Sequence, residues 1–518
     1  MMGDTRKNED NPVPFEEALT KTGNGLYNIL LVCTCALILL AIGVDLFGFS
    51  LVVTAACDLE LTVSQKGILT SLPFIGILLV SYIWGYVSDT RGRRFTLVLS
   101  LQTGFILSCI SCLSPNWLVL GIVKFFSVCF SCAANSATYT LVGEACIQRV
   151  RNKYMLLMTC LLLLSPAIAG VLTYPTLKLD FEVELYWLGL YFRPWRLLII
   201  VLAIPSGIGG LLIMFFHESP KFLANLGRKD EALKVMKHMY AVNHRCSQDE
   251  YKIHSLTLEE VSSKKEQSLL RSMYEQSAPL FRRPLLWRTL QLFYIVFVVY
   301  ITNNSFLVWL PHILNLVRVA LESSNSDTAN ICALISTETA VNGAENVTAV
   351  NYTNTTVASI TPDICLGTVE DNVILTLIAS QSVFSFLNFA ISYLPNRRKV
   401  MLICILCSSA LSGICINLMP EPISSVFFFV VFTCTCLGMG MLASYFVDLY
   451  PTSYRGMVAC LSIMVGRSST FIGINLVGNL IFYHCQITFY LWSLLVLSSA
   501  VAAVFLPPDK PPMEATAL

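Results

Sequence analysis

The charged residues of this chain form a pattern that occurs twice. Three pairs of like-charged residues are separated by the same 304 positions: Arg93 with Arg397, Glu144 with Asp448, and Arg151 with Arg455. Carboxylates and guanidinium groups that lie close together form ion pairs, which can hold two elements together and release them again. A fixed spacing over more than half of the chain indicates an internal repeat.

Ionisable residues are rare inside the long apolar runs. Asp45 lies in the first run, Lys124 in the fourth and Arg467 in the eleventh. Such groups are expensive in a membrane and are usually functional. We predict that Asp45 and Lys124 lie on facing helices of the N-terminal half and pair across the central cavity. Two roles stay open: a group that responds to protons or cations, or a static pair that fixes helix packing.

The elements that must position these groups are apolar segments. Of the 518 residues, 55% are hydrophobic and 13% are charged, whereas soluble domains carry roughly 25% charged residues. Each segment is long enough to cross a bilayer as a helix. The sequence therefore predicts an all-α membrane protein with twelve transmembrane helices in two six-helix pseudo-repeats. We place the helices at 27–56, 67–87, 95–113, 117–142, 154–174, 196–216, 290–311, 372–394, 400–419, 423–447, 456–481 and 487–506.

The distribution of Lys and Arg predicts the orientation. Basic residues concentrate in the even-numbered loops, at Arg93, Arg94, Arg149, Arg151, Arg397, Arg398, Lys399 and Arg455. Basic loops face the cytosol, so we expect both termini there, in a plasma or vesicle membrane. The domains are a cytosolic N-tail, the N-terminal half, a cytosolic linker, the C-terminal half and a cytosolic C-tail, at 1–26, 27–216, 217–289, 290–506 and 507–518. We expect both tails to be largely disordered.

The loop 312–371 is predicted to lie on the luminal side. It contains three closely spaced N-glycosylation sequons, at Asn346, Asn351 and Asn354, and we expect at least one to carry a glycan. Cys332 and Cys365 are candidates for a disulfide that closes the loop in an oxidising lumen. Two other partners stay open, because Cys57 and Cys485 are also expected on this side.

The linker contains one segment with helical periodicity. From Asp230 to Tyr240, apolar residues recur at Leu233, Met236 and Met239. This spacing predicts an amphipathic helix that lies against the cytosolic face.

The first charge cluster matches a known loop motif. Gly85, Asp89, Gly92, Arg93 and Arg94 fit the pattern G-x-x-x-D-x-x-G-R-R. With the two sets of six helices, this resembles the major facilitator superfamily over nearly the whole chain. The resemblance implies a cytosolic latch, in which the glycine at position 85 permits close helix approach and the aspartate pairs with arginines across the bundle. The second copy has Phe, Tyr and Asn at the Gly, Asp and Gly positions, so we expect a weaker latch there.

Further motifs narrow the resemblance. Glu144 and Arg151, like Asp448 and Arg455, are seven residues apart, a spacing that returns to the same face of a helix. This element and the segment 217–223 resemble sugar and organic-ion porters. The segments around 15–25 and 43–47 resemble the synaptic vesicle glycoprotein 2 and vesicle-transporter-like branch.

The resemblance implies a secondary active transporter that moves a small organic solute or ion by alternating access. It also implies a small-molecule substrate, possible coupling to a proton or cation, and a monomer in the lipid bilayer. The residues expected along the transport path or in coupling are Asp45, Lys124, Asn303, Asn304, Gln381, Tyr445 and Arg467. The expected cytosolic gate comprises Gly85, Asp89, Gly92, Arg93, Arg94, Glu144, Arg151, Arg397, Arg398, Asp448 and Arg455.

Other functional classes are less well supported. No phosphate-binding G-x-x-x-x-G-K-[ST] motif is present, which argues against an ATP-driven pump. No catalytic constellation or zinc-ligand spacing appears, so we expect neither an enzyme nor a cofactor or metal site, and we expect no nucleic-acid partner. Two alternatives remain open: a transport-inactive membrane or vesicle scaffold with a transporter fold, and a gated channel, although no selectivity-filter sequence is visible.

Overall fold

The protein folds as a bundle of long helices. In the computed structural model, the described residues are 13–186, 189–257, 278–283, 285–323, 331–332, 335, 371–392, 397–450 and 452–507. Within them, twelve helices are long and apolar enough to cross a membrane, which confirms the predicted number. The predicted glycosylation sites Asn346, Asn351 and Asn354 lie outside the described residues, as does Cys365.

Six membrane-spanning helices form the first half, and two of them are interrupted. The helices are α2 (Leu26–Ala55), α3 (Val63–Arg91), α4 (Arg93–Ser111), α5 (Trp117–Ser131), α6 (Ala133–Ala145), α7 (Gln148–Leu163), α8 (Ser165–Leu177) and α9 (Pro194–Leu212). The fourth span consists of α5 and α6, and the fifth of α7 and α8. Between α8 and α9, strands β2 (Val183–Leu185) and β3 (Leu190–Phe192) form an antiparallel hairpin.

The second half repeats this plan. Its helices are α12 (Leu286–Ser323), α13 (Asp371–Ser392), α14 (Arg398–Leu418), α15 (Pro422–Phe432), α16 (Leu437–Leu449), α17 (Thr452–Tyr483) and α18 (Cys485–Val504). The fourth span is again interrupted, here by a 3-10 turn at Thr433–Cys436. Aromatic rings hold this half together, because Phe306 contacts Phe429, Phe432, Phe489 and Trp492 at centroid distances of 5.0 to 5.9 Å.

The linker and the N-terminal segment form a cap on one end of the first half. Helix α11 (Lys229–His244) follows the short helix α10 (Pro220–Asn225), and it buries Ala232, Val235, Met236 and Met239. This confirms the predicted amphipathic helix. The expectation of a largely disordered N-tail is wrong for 13–21, where α1 (Phe15–Lys21) is helical and buries Phe15, Ala18 and Leu19. These apolar side chains find their partners on the linker.

Two further contacts fix this cap. Strand β1 (Val13–Pro14) pairs in parallel with β4 (Leu256–Thr257), and the Tyr251 hydroxyl donates a hydrogen bond to the Ala18 carbonyl at 2.8 Å. The Asn243 side chain donates to the carbonyl of Thr22 at 3.0 Å and to Oδ1 of Asn28 at 2.8 Å, and it accepts from the backbone N–H of Tyr27 at 3.1 Å. One linker residue therefore ties the start of α2 to α11.

The predicted disulfide between Cys332 and Cys365 is wrong. Cys332 is bonded to Cys485 at the start of α18, with a Cα–Cα distance of 5.4 Å. This distance lies within the range that a disulfide requires. Cys57 is also disulfide-bonded. The long loop after α12 is thus tied to the last helix of its own half, which sequence spacing alone could not reveal.

Candidate functional site

A cavity of about 110 Å³ lies between the two halves. Its first-half walls come from α2, α3, α6, α7 and α8, and its second-half walls from α12, α13, α16 and α17. Four residues predicted for the path line it: Asn303, Asn304, Gln381 and Arg467. The other three, Asp45, Lys124 and Tyr445, are buried but are not among the residues that line this cavity.

Side-chain amides order the second-half wall. Nδ2 of Asn303 donates to Oδ1 of Asn304 at 3.0 Å, and Nδ2 of Asn304 donates to Oγ1 of Thr470 at 2.9 Å. The second bond joins α12 to α17, one turn away from Arg467. Within the described part of the chain, no group of three or more His, Cys, Asp or Glu residues is placed to hold a metal ion. The described residues that line the cavity therefore offer a ligand hydrogen bonds and one permanent positive charge.

The lining residues repeat with the same spacing as the charge clusters. Four pairs that line the cavity are separated by 304 positions: Ile77 with Gln381, Cys132 with Cys436, Asn135 with Met439, and Leu163 with Arg467. The helix interruptions fall at Cys132 and at the turn that ends with Cys436. Sequence reasoning missed Tyr300, Asn135 and both cysteines, although applying the repeat to apolar positions would have found the cysteines.

Asp45 and Lys124 form the ion pair that was predicted within the first half, but neither residue lines the cavity. Nζ of Lys124 lies 2.5 Å from Oδ1 of Asp45, and both side chains are nearly fully buried. Ser108 joins them, since its hydroxyl accepts from the lysine at 3.0 Å and donates to the aspartate at 3.3 Å. The ammonium also lies 5.3 Å from the centre of the Phe49 ring. The pair thus links α2, α4 and α5 behind the cavity wall.

The first charge cluster is centred on Arg93. Its guanidinium lies 3.1 Å from the Glu144 carboxylate and 3.0 Å from Asp89, and its carbon lies 4.8 Å above the ring of Phe222. Oε2 of Glu144 also accepts a hydrogen bond of 2.5 Å from the Ser219 hydroxyl. This network joins the α3–α4 connection to the end of α6 and the start of the linker.

Glu218 explains the glycine of the motif. Its carboxylate accepts from the backbone N–H groups of Arg93 and Arg94 at 2.8 and 3.1 Å, so it neutralises the N-terminus of α4. Gly92 has φ +108°, and a Cβ there would lie 2.3 Å from the Glu218 carboxylate. Only glycine fits this position. The contact also gives Glu218, within the segment 217–223, a structural role: it binds the start of α4.

One expectation about this gate is wrong, and two of the expected contacts are not made in this conformation. Asp89 does not reach across the bundle, because its partner Arg93 is four residues away and belongs to the same half. Gly85 does not mediate close helix packing, since a Cβ there would meet nothing within 4 Å. Glu144 and Arg151 do not share a helix face, because α6 ends at Ala145 and α7 begins at Gln148.

Arg151 instead contacts the cap. Its guanidinium lies 3.3 Å from the Glu16 carboxylate of α1 and donates to the Cys146 carbonyl at 3.1 Å. In the second cluster, Arg397 is exposed, Arg398 is partly buried, and Nζ of Lys399 donates to the Leu506 carbonyl at 2.5 Å. The side chains of Asp448 and Arg455 lie outside the described residues.

Two polar contacts between the halves lie on the side opposite to the basic loops, and a third lies deeper in the bundle, where the Ser385 hydroxyl on α13 donates to the Cys160 carbonyl on α7 at 3.1 Å. Nζ of Lys178 after α8 lies 2.8 Å from Asp371 at the start of α13. This interaction raises the pKa of Lys178 above its usual range, so the lysine stays charged. Nδ2 of Asn475 on α17 donates to the Ser71 hydroxyl on α3 at 3.0 Å. At the other end of α3, Ile83 and Tyr86 are 58% and 47% exposed.

Comparison with known proteins gives one family match and several distant relatives. Residues 33–336 match the model of the Major Facilitator Superfamily. The organic cation/carnitine transporter 7 of Arabidopsis thaliana is 27% identical over 229 residues, which cover 44% of this chain and 43% of that protein. Human synaptic vesicle glycoprotein 2A is 24% identical over 258 residues, which cover 49% of this chain and 34% of that protein. The matched regions therefore span less than half the length of these relatives.

Solved structures share the fold. The inward open conformation of the xylose transporter XylE from E. coli matches with a TM-score of 0.64 at 12% identity, over 94% of this chain and 98% of that chain. Its partially occluded inward open conformation gives 0.61 at 12% identity, over 93% and 100% of the two chains. At such identity the likeness concerns the fold alone.

Proposed function

Because this chain belongs to the major facilitator superfamily, as a multi-pass integral membrane protein, we propose that it is a secondary active transporter that moves a small organic solute or ion by alternating access. The observation that carries this proposal is the cavity between the two halves, lined by equivalent positions of each repeat. A site shared by two equivalent halves becomes accessible from either side when the halves rock against one another.

The contacts between the halves support an inward-facing state. With the basic loops in the cytosol, Lys178–Asp371 and Ser71–Asn475 close the outer side. On the cytosolic side, the end of α3 is exposed and Gly85 faces open space. In the opposite state, this end of α3 would approach the second half, and the glycine would then permit the close contact that the motif implies.

In this mechanism, the Arg93 cluster keeps the helix ends on the cytosolic side of the first half in fixed relative positions. Its bonds to Glu144 and its backbone contacts with Glu218 hold α3, α4 and α6 together as one unit. The Asp89 side chain is 53% exposed and therefore accessible to a new partner when the cytosolic side closes. An exposed ion pair is worth little, so exchanging that partner costs little free energy.

The surroundings of Asp45 and Lys124 support a packing role better than a coupling role. The pair is buried, is bridged by Ser108 and is not among the residues that line the cavity. A coupling group has to exchange protons or cations with the transport path, whereas these contacts fix three helices of one half.

Uptake into proteoliposomes tests the proposed function. The full chain is reconstituted, and uptake of neutral, cationic and anionic solutes is measured with and without an imposed proton gradient. We expect saturable uptake of at least one solute class. An Asn304→Ala variant removes the bond between α12 and α17 and should reduce that uptake, whereas Arg228→Gln, on an exposed linker position, should not.

The scaffold alternative makes a different forecast. A protein that keeps only the shape of a transporter would show no solute-dependent flux for any class, although it remained folded and inserted. That result would contradict the proposed function.

A further inference from the structure

One guanidinium in the cavity has no counter-charge. Arg467 lines the cavity, and its Nε atom is buried without a hydrogen-bond partner. Among the described residues, no Asp or Glu oxygen lies within 4.0 Å of its guanidinium. Three other arginines have a buried Nε atom. Arg93 pairs with Glu144 and Arg196 with Asp58, and Arg94, which lies outside the cavity, donates to the Met214 carbonyl at 2.6 Å.

Electrostatics makes this arrangement costly. Arginine remains protonated in proteins, and a charge that is partly withdrawn from water without a partner carries a desolvation penalty. Arg467 is partly buried, so it carries part of that penalty. The aromatic ring of Phe74, 5.6 Å from the guanidinium carbon, offsets only part of such a penalty. None of the described residues that line the cavity is acidic. An anion inside the cavity would supply the missing charge.

The two walls of the cavity differ in polarity. Where the first half has Leu163 and Ile77, the second half has Arg467 and Gln381 at the equivalent positions. The first helices of the two halves differ in the same way, since Leu46 and Phe47 line one wall and the amides of α12 line the other. A ligand that matches both walls has a charged polar end and an apolar body.

We propose that the cavity binds a small organic anion, with its carboxylate on Arg467 and its apolar part against the first-half wall. This inference rests on the proposed function, because it takes the cavity as the substrate site. Arginine holds a carboxylate through two parallel hydrogen bonds. The cavity, at about 110 Å³, is smaller than the roughly 300 Å³ of sites for drug-sized ligands. A monocarboxylate with one ring or a short chain fits this size.

Three probes of similar size and different charge test the proposal. Thermal unfolding of the purified full chain is measured with benzoate, benzamide and benzylammonium, and with chloride as an inorganic anion. We expect benzoate to stabilise the protein, with an affinity roughly ten- to hundredfold above that of benzamide, since hydrogen bonds to charged groups are worth about 1.5–3 kcal/mol. Benzylammonium and chloride should give little or no stabilisation.

Variants assign the effect to the guanidinium. Arg467→Gln should remove the preference for benzoate over benzamide, and Arg467→Lys should retain part of it, because the charge remains without the planar fork. Arg228→Gln is the matched control, since this arginine lies on the linker surface and pairs with Glu231. If Arg467→Gln does not fold, the comparison of the three probes on the unmodified protein still tests whether the cavity prefers an organic anion.

The outcomes separate this inference from the proposed function. Equal stabilisation by benzoate and benzamide, or equal stabilisation by chloride and benzoate, would overturn the organic-anion site. Flux of benzamide or benzylammonium without binding of benzoate would also overturn it and leave the transporter proposal intact. Benzoate binding that depends on Arg467, but without flux of any solute, would uphold the site and contradict transport.

Discussion

At the scale of single residues, the sequence predicted that Asp45 and Lys124 form an ion pair, but it did not predict where that pair lies relative to the cavity. Ionisable groups inside apolar segments are costly unless they pair with an opposite charge, so the pairing was predictable. Their separation from the cavity was not, because it depends on how α2, α4 and α5 pack. The bridging Ser108 gave no signal in the sequence, since serine is common in transmembrane helices.

Replacing Asp45 by Asn should destabilise the protein strongly. Lys124 would remain buried without its carboxylate, which typically costs about 3–5 kcal/mol. Thermal unfolding measures this loss. The double variant Asp45→Asn with Lys124→Met should recover most of the stability, because it removes both charges.

The same variants decide the role of the pair. If the pair only fixes packing, the double variant keeps the pH dependence of transport that the unmodified protein has. A pH profile that flattens or shifts in this variant would contradict the packing role and restore the coupling role.

His217 gives the cap a predictable dependence on pH. Partial burial lowers the pKa of its imidazole, and electrostatic interaction with His238 and Arg94 lowers it further. The folded state therefore favours the neutral ring, so its contribution to stability is present above the usual value of 6.5 and is lost as the pH falls below it. The effect should be small, because the ring is partly exposed.

Hydrogen exchange of the segment 216–223 measures this effect. We expect exchange to accelerate on acidification from pH 7.5 to 5.5, after correction for the intrinsic pH dependence of exchange. His217→Asn should reduce the acceleration. An equal acceleration in both proteins would show that another group is responsible.

At the scale of elements, the helices were largely predictable and their interruptions were not. Uniformly apolar segments of about 20 residues have one stable form in a bilayer, which is why all twelve spans were found. The ends at Ala145 and Gln148 interrupt the stretch that was expected to place Glu144 and Arg151 on one face. The break falls between the predicted spans 117–142 and 154–174, so a seven-residue spacing counted across it could not place both side chains on one helix face.

The N-terminal cap illustrates a second limit. Phe15, Ala18 and Leu19 occupy one face of a helix that is too short to be stable alone. Its order comes from the linker, more than 200 residues away, through Tyr251 and strand β4. Sequence reasoning found the amphipathic helix α11, but it could not predict that the N-terminal segment packs against the linker.

Gly85 offers a test of the motion of α3. In this structure a Cβ at this position meets nothing within 4 Å, so Gly85→Ala and Gly85→Leu should leave folding stability almost unchanged. If the end of α3 closes against the second half, transport should slow progressively as the side chain grows. Initial rates of uptake measure this series, and equal rates for all three proteins would contradict closure at this position.

At the scale of the whole molecule, two similar halves enclose a cavity whose walls differ in polarity. The 304-position repeat accounts for the overall symmetry, from the charge clusters to the helix interruptions at Cys132 and Cys436. The departures from symmetry at Arg467 and Gln381 give the cavity its polarity. The repeat was visible in the sequence, whereas the meeting of these particular positions at one cavity required the fold.

Counterflow in proteoliposomes tests the central claim most directly. Vesicles are loaded with an excess of unlabelled solute, and entry of the same labelled solute is followed at equal pH on both sides. A carrier that alternates between two states should produce a transient accumulation of label above equilibrium, which Arg467→Gln abolishes for an anionic solute and Arg228→Gln preserves. Label that only equilibrates would indicate a channel, and label that does not enter for any solute class would indicate a scaffold; either result would contradict alternating access.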